Sequence, residues 1–375
     1  MIPSFNSNNF FKNIKSTPIN QVHQKQLIES FFSISKYKRY VIGKNAESLF
    51  LINNYKIDGI IDDFSQKNKF WHNVPILKSK NLQEDCIIIN CSTSIWPNTV
   101  KKNLLDCGLK QILHYYELLN NDNYLFPEPL FVKEMKVSIN KSPGEWNILY
   151  ESLVDDKSKQ ILTDIVRYRL TANPQFMQKY KVRLDKQYFE SFMNYSNEIF
   201  VDAGGFNGDT SIEFCNRYPD YKRILFFEPS KKNMRAAQKN LKHLNNIVYY
   251  QSGLSDKDEV LSFNTLDGSS SKISKSGKDT IKVAPLDTLI TDPVTFIKMD
   301  LEGWEMAALK GCQNHIINDK PKLAIAVYHS TKDFLEIPNY VLSLNPQYQL
   351  FMRHYTEGWS ETVLYFVPRS KNRAL

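Results

Sequence analysis

No stretch of this 375-residue sequence stays apolar for the length that a bilayer crossing needs. The opening Met1-Ile-Pro-Ser-Phe-Asn6 also lacks a basic segment followed by an apolar one. A cytoplasmic chain with no membrane partner is the expectation. Cysteine is scarce: Cys86, Cys91, Cys107, Cys215 and Cys312 are odd in number, widely spaced and mostly set in apolar runs. That pattern excludes a disulfide framework or a zinc site and reads as reduced core thiols. Blocks of like charge are missing as well. Lys+Arg 48 against Asp+Glu 40 gives a net +8, but it is spread along the chain, so no nucleic-acid arm is expected. At most it gives a mild attraction to anionic substrates. What is present is ample core material, 42% hydrophobic residues in a length that suggests two domains.

The chain is organised around Glu198-Ile-Phe-Val-Asp-Ala-Gly-Gly-Phe-Asn-Gly-Asp-Thr-Ser211. Ile199 to Val201 has the pattern of a strand buried on both faces, followed by glycines and the start of a helix. Such a turn lets backbone approach a nucleotide-like ligand beside the free N–H groups of a helix start. A dinucleotide turn would read G-x-G-x-x-G. Here the order is Asp202-x-Gly204-x-x-x-Gly208, and an acid at the strand end suits the cationic methionine portion of S-adenosylmethionine better than a pyrophosphate.

Residues 1–35 are polar and Asn-rich and read as a loosely attached extension with one weak helical stretch, Val22 to Phe32. Over 36–120, strands at Tyr40–Gly43, Ile57–Ile61, Cys86–Asn90 and Gln111–Leu113 alternate with helices at Ala46–Asn54 and Pro97–Asp106, which predicts a small parallel α/β domain. Its Asp58-Gly-Ile-Ile-Asp-Asp63 resembles the Rossmann-like nucleotide-binding domains found beside sugar-modifying enzymes. The preceding turn Gly43-Lys44-Asn45-Ala46 keeps one glycine, which hinders approach to a pyrophosphate. Asp62 could hold a ribose hydroxyl, yet the expectation is a scaffolding or dimerising domain, with a homodimer formed through it and no tight NAD site.

Residues 121–144, with Pro127, Pro129, Pro143 and Gly144, read as a linker, and 145–375 as a second domain capped by helices within 145–195. Tyr188 and Phe189 lie just ahead of the glycine turn, where aromatics could close over the ligand, with packing beneath that cap the favoured use. Strands follow at Ile224–Phe227, Ile247–Tyr250, Thr280–Ala284, Phe296–Met299 and Leu323–Val327, with a Ser- and Gly-rich insertion at 264–278 expected to be mobile. Tyr348–Met352 and Thr362–Val367 are joined by a turn at Thr356-Glu-Gly358 and must be antiparallel. A mostly parallel sheet closed by such a hairpin is the outline of the class I methyltransferase fold.

Ligands of open α/β sheets bind beyond the carboxyl ends of the strands. Asp202, Gly204, Asn207, Gly208, Asp209 and Thr210 are therefore assigned to the cofactor. Glu228, roughly 20 residues past the glycines, reads as the acid for the two ribose hydroxyls, with Ser230 capping the following helix. Ser252 and Gly253 are placed at the adenine edge. Asp300, Glu302 and Glu305 invite a metal reading. None is assigned: Asp300 is expected to face methyl donor and acceptor, and the two glutamates to organise loop and helix. His329 and His354 end strands, where a histidine of near-neutral pKa is a natural proton acceptor. The base is assigned to His329 with Asp300 orienting, the reverse standing next. Glu302, Arg353 and His354 are candidates on the acceptor side.

Val201-Asp-Ala-Gly-Gly-Phe-Asn-Gly-Asp-Thr-Ser211, Phe227-Glu-Pro-Ser230, Leu286-Asp-Thr-Leu289 and Ile297-Lys-Met-Asp-Leu-Glu-Gly-Trp-Glu305 resemble, in order, the motifs of the FkbM-type methyltransferases. Arg353-His354-Tyr355 and Glu361-Thr-Val-Leu364 add to the likeness. The resemblance covers roughly 145–375 and implies S-adenosylmethionine as donor and O-methylation of a sugar hydroxyl, on a glycan or nucleotide sugar, or of a related natural-product alcohol. The extra N-terminal domain is a departure. Two alternatives stand beside this reading, an NAD-dependent sugar-modifying enzyme and a non-catalytic glycan-assembly protein.

Overall fold

Apolar runs become parallel strands in both halves of the chain. The computed structural model describes residues 10, 14, 22–33, 37–66, 68–119, 125–264, 272–273 and 279–369. Two compact units emerge: 1–147 with 160–182 and 355–360, and 148–159 with 183–354 and 361–375. No helix among the described residues is long and apolar enough to cross a membrane.

In the first unit β1 (Lys38–Ile42), β2 (Gly59–Ile61), β3 (Phe70–Trp71), β4 (Val74–Leu77), β5 (Cys86–Asn90) and β6 (Gln111–His114) form one sheet in the order β3-β4-β2-β1-β5-β6. All neighbours are parallel except the hairpin β3–β4, which the sequence reading missed because Phe70–Trp71 and Val74–Leu77 are too short to show a period. The helix Val22–Phe32 is no loose extension: its Ile28 and Phe31 are buried with Val41, Leu51, Ile87 and Ile89. The expected linker also contains a helix, Leu130–Lys141, whose Phe131, Val132, Met135 and Ile139 are buried on one stripe. Pro127 and Pro129 precede it, where proline does no harm. Residues 355–360 are fixed within this unit. A Cβ on Gly358 would stand 2.2 Å from the carbonyl oxygen of Thr93, and Glu357 accepts hydrogen bonds from the backbone N–H and hydroxyl of Thr99 at 2.7 and 2.5 Å.

In the second unit β7 (Ile199–Ala203), β8 (Arg223–Phe227) and β9 (Ile247–Tyr250) lead into a small sheet of β10 (Gly253–Leu254), β11 (Glu259–Asn264), β12 (Lys272–Ile273) and β13 (Asp279–Ala284). The expected loop tip at 268–274 falls largely outside the described residues. Strands β14 (Phe296–Met299), β15 (Lys322–Ala326), β16 (Tyr348–His354) and β17 (Thr362–Pro368) complete a seven-stranded sheet in the order β16-β17-β15-β14-β7-β8-β9. Its strands are parallel except β17, which runs antiparallel to both β15 and β16, as the class I methyltransferase fold requires. Strand order reverses between β7 and β14, and that is where a crevice must open at the carboxyl ends.

Candidate active site

The turn after β7 is shaped by contact with β14. Gly204 has φ +75°, and a Cβ there would come within 2.1 Å of the carbonyl oxygen of Asp300. The glycine is needed for this backbone approach, besides standing at the wall of the cavity described next. Gly208, at φ +89°, begins the helix Asp209–Arg217 and faces Leu241.

A cavity of about 810 Å³ opens at the strand reversal. Of the residues assigned to the cofactor, Gly204, Asp209, Thr210, Glu228 and Gly253 line it. Asp202 does not. It is fully buried, one carboxylate oxygen accepting from the Ser211 hydroxyl at 2.6 Å and the other 3.2 Å from Lys298 Nζ. Its role is to hold the turn to β14, a correction to the expected contact with methionine. Asn207 and Ser252 are also turned to local backbone: Asn207 Oδ1 accepts the Asp209 N–H, and the Ser252 hydroxyl donates to the carbonyls of Gly253 and Lys282. Neither lines the cavity, nor does Gly208.

Glu228 ends β8 with only 6% of its surface exposed. Its oxygens accept backbone N–H bonds from Phe206 at 3.0 Å and Ser230 at 2.8 Å, which fix the carboxylate at the cavity wall. Burial nevertheless raises its pKa. Ser230 caps the next helix by accepting from Asn233. Beside Glu228 the wall turns apolar, with Pro229, Leu254, Ile281 and Val283. The last two lie on β13, beyond the reach of the turn motifs that guided the sequence reading.

Asp300, just past β14, is held from three directions. Tyr188 and Tyr328 donate hydroxyl bonds to it at 2.9 and 3.3 Å, and His329 Nε2 stands 3.5 Å from Oδ1. Tyr188 is thus part of the site, with its φ of +72° stored there. Phe189 also reaches the cavity. Lys298, which the sequence reading did not single out, donates to the Gly204 carbonyl at 2.8 Å. Burial opposes its charge, but Asp202 and Asp300 outweigh burial and raise the ammonium above its usual pKa. Glu361 is the other missed residue. It lines the cavity, accepts from Gln187 Nε2 at 2.8 Å, and is pushed up to about 7 by burial and then by the charge of Asp300. Its place in the Glu361-Thr-Val-Leu364 motif was the available signal.

His329 contradicts the expectation of a near-neutral base. Burial disfavours its charge, but Glu305 at 3.0 Å from Nδ1, then Asp300 and Glu302, outweigh burial and raise the imidazole to about 9. An imidazole of that pKa keeps its proton at neutral pH and cannot accept another. Glu305 does organise the loop, accepting the Leu301 N–H at 2.6 Å. Glu302, at φ +54°, instead turns into the cavity, 3.5 Å from His329 Nε2. The candidates on β16 fall away from the site. His354 is wholly buried with Nδ1 2.9 Å from the Thr362 hydroxyl, and Arg353 pairs with Asp155 at 2.7 Å and covers the Phe192 ring. Both are packing residues of the outer hairpin.

Against known proteins, residues 202–356 match the Methyltransferase FkbM domain. No curated protein matches the chain. A solved methyltransferase FkbM from Methylobacillus flagellatus KT is similar in fold, with 23% identity, 95% of this chain and 98% of that chain covered, and a TM-score of 0.71. More distant are a putative rRNA methylase from Clostridium thermocellum (10% identity, 47% and 89% covered, TM-score 0.33) and the Aeropyrum pernix fibrillarin with S-adenosylmethionine (12%, 49% and 71%, 0.32). The domain match thus lies on the strands that build the cavity, and residues 202–356 are similar to a methyltransferase domain of the FkbM type.

Proposed function

We propose that the protein transfers the methyl group of S-adenosylmethionine to a hydroxyl of a sugar or a related alcohol. The observation that carries this reading is the cavity at the strand reversal, with a buried carboxylate, Glu228, at the end of the strand next to the glycine turn. The residues fit the donor. Glu228 keeps free lone pairs for the two ribose hydroxyls, and Pro229, Leu254, Ile281 and Val283 offer a flat apolar slot for adenine. Asp209 and Asp300 put negative charge where a sulfonium and ammonium would lie.

S-adenosylmethionine supplies an already activated methyl group. The protein's share is alignment and the acceptor's proton. Asp300 is locked by two phenols and His329, and serves to position the acceptor. Glu361 faces the same space with its carboxylate steadied by Gln187, and it takes the proton. Asp185, Glu213, Glu302 and Glu361 can all accept hydroxyl bonds, which favours a hydroxyl-rich acceptor. The same carboxylates repel a pyrophosphate, so a neutral glycan or glycoside fits better than a nucleotide sugar, despite the positive net charge of the chain.

Calorimetry with S-adenosylmethionine, S-adenosylhomocysteine and NAD tests the reading. Binding of the first two and not the third is the expected result. Silence with both adenosyl ligands would remove the donor assignment.

A further inference from the structure

The carboxylates around His329 form a cage of which the methyl-transfer reading uses Asp300 and Glu302 as acceptor contacts but not the convergence of both on one imidazole nitrogen. His329 has only 8% of its side chain exposed, and neither of its enclosed ring nitrogens makes a hydrogen bond of regular geometry. Nε2 stands 3.5 Å from Asp300 Oδ1 and 3.5 Å from Glu302 Oε2. An N–H···O bond would close to about 2.7–3.2 Å. Two donors that each sit about 2.1 Å from a shared ion are instead separated by about 3.0–3.5 Å. On the other side of the ring Glu305 lies 3.0 Å from Nδ1, and it is itself anchored by the Leu301 N–H. A carboxylate behind the imidazole is the arrangement that orients a metal-bound histidine. Asp300, Glu305 and His329 each offer a ligand atom within 4.8 Å of the others.

We propose that Nε2 of His329 and the carboxylate of Asp300 bind one divalent transition-metal ion, with Glu302, 3.5 Å from the same nitrogen, closing the site and Glu305 orienting the ring. The imidazole among carboxylates selects Mn²⁺ or Zn²⁺ over Mg²⁺ or Ca²⁺, which prefer oxygen alone. Asp300 and Glu302 line the cavity, so the ion has a route in and presents its open positions to an acceptor oxygen. Only this last use of the ion rests on the methyl-transfer reading. Binding of the ion does not.

The test uses the full chain without an affinity tag, stripped with chelator and titrated with MnCl₂, ZnCl₂ or MgCl₂ by calorimetry, with electron paramagnetic resonance of bound Mn²⁺. One site per chain is expected, at least tenfold tighter for Mn²⁺ or Zn²⁺ than for Mg²⁺. Binding should vanish in His329→Gln and Asp300→Asn and weaken roughly 10–100-fold in Glu305→Gln. Glu302→Gln, at a side chain 26% exposed, should weaken it at least tenfold and covers the case in which the buried variants fail to fold. No stoichiometric binding by the wild-type chain would overturn the site and leave His329 as a protonated partner of the acids. Binding unaltered by these substitutions would equally overturn it, as adventitious metal elsewhere. S-adenosylmethionine titrated into the stripped protein separates the two proposals, because loss of donor binding with metal binding retained would sink only the function.

Discussion

Each half of the chain sets a buried histidine at the carboxyl ends of parallel strands, and the two are driven in opposite directions. His114, the last residue of β6, lies 3.3 Å from the Asn90 amide and donates its backbone N–H to Glu117. Burial, helped by Lys101, drives its imidazole down to about 3. His329 sits at the matching end of β15 among three acids and is driven up to about 9. The glycine turns differ in the same sense. In the first unit Gly43 is packed against the end of β5, Asn45 donates to the Cys91 carbonyl, and Lys44 pairs with Asp62, the acid that a ribose would need. In the second, the turn closes on Asp300 and leaves Glu228 at an open cavity. Similar strand layouts thus yield a strand end satisfied by its own groups and a strand end with spare charge. The lining residues, and not the layout, make the site.

That contrast can be broken most forcefully at a carboxylate in each unit. Glu361→Gln should lower turnover by about 10²–10⁴ if Glu361 takes the proton. Glu117→Gln, which changes a buried acid of the first unit, should leave turnover per folded molecule unaltered. Equal effects in a methyl-transfer assay would erase the distinction.

Next come the glycines. Gly204→Ala forces a Cβ into the Asp300 carbonyl at a positive φ and should destabilise the protein by roughly 2–4 kcal/mol in urea unfolding. Gly43→Ala, where the nearest approach is 2.9 Å, should cost less. A reversed order would mean the first unit carries the tighter turn.

An effect on ligand binding and not on the fold is expected from Glu228→Ala, which removes a charge-assisted hydrogen bond of about 1.5–3 kcal/mol from S-adenosylmethionine. Asp62→Ala should change no donor affinity. Unaltered calorimetry in Glu228→Ala would detach that residue from the cofactor.

The mildest prediction concerns acid. The folded state depresses the pKa of His114 below its unfolded value of about 6.5, so between roughly pH 6.5 and 3 the unfolded chain binds the extra proton and stability falls as pH falls. His114→Asn should flatten that part of the curve in unfolding followed by circular dichroism. An unaltered slope would assign the acid sensitivity to other groups.

Much of this was legible because the chemistry is carried by short contiguous motifs. Asp300, Glu228 and the glycine turn follow from strand-end logic, and the antiparallel closure by β17 follows from the length of one turn. What escaped depends on partners far apart in the chain. Nothing local tells that Tyr188 reaches Asp300, that Lys298 seals Asp202 away from ligand, or that three acids surround His329. The helix Leu130–Lys141 was hidden by the prolines around it, which mark a boundary equally well for a linker and for a helix start. Arg353 and His354 were misplaced because a strand end on the outer hairpin looks, in sequence, like one beside the reversal of strand order.

The division of the chain has a consequence for synthesis. The first unit holds β1–β6, yet its last piece in chain order is 355–360, with Gly358 against Thr93 and Glu357 on Thr99. A ribosome therefore releases the sheet β1–β6 long before the segment that completes its surroundings. Until then the nascent first unit lacks Glu357, the acceptor for the Thr99 amide and hydroxyl, and its contacts are completed only after most of the second unit has been translated.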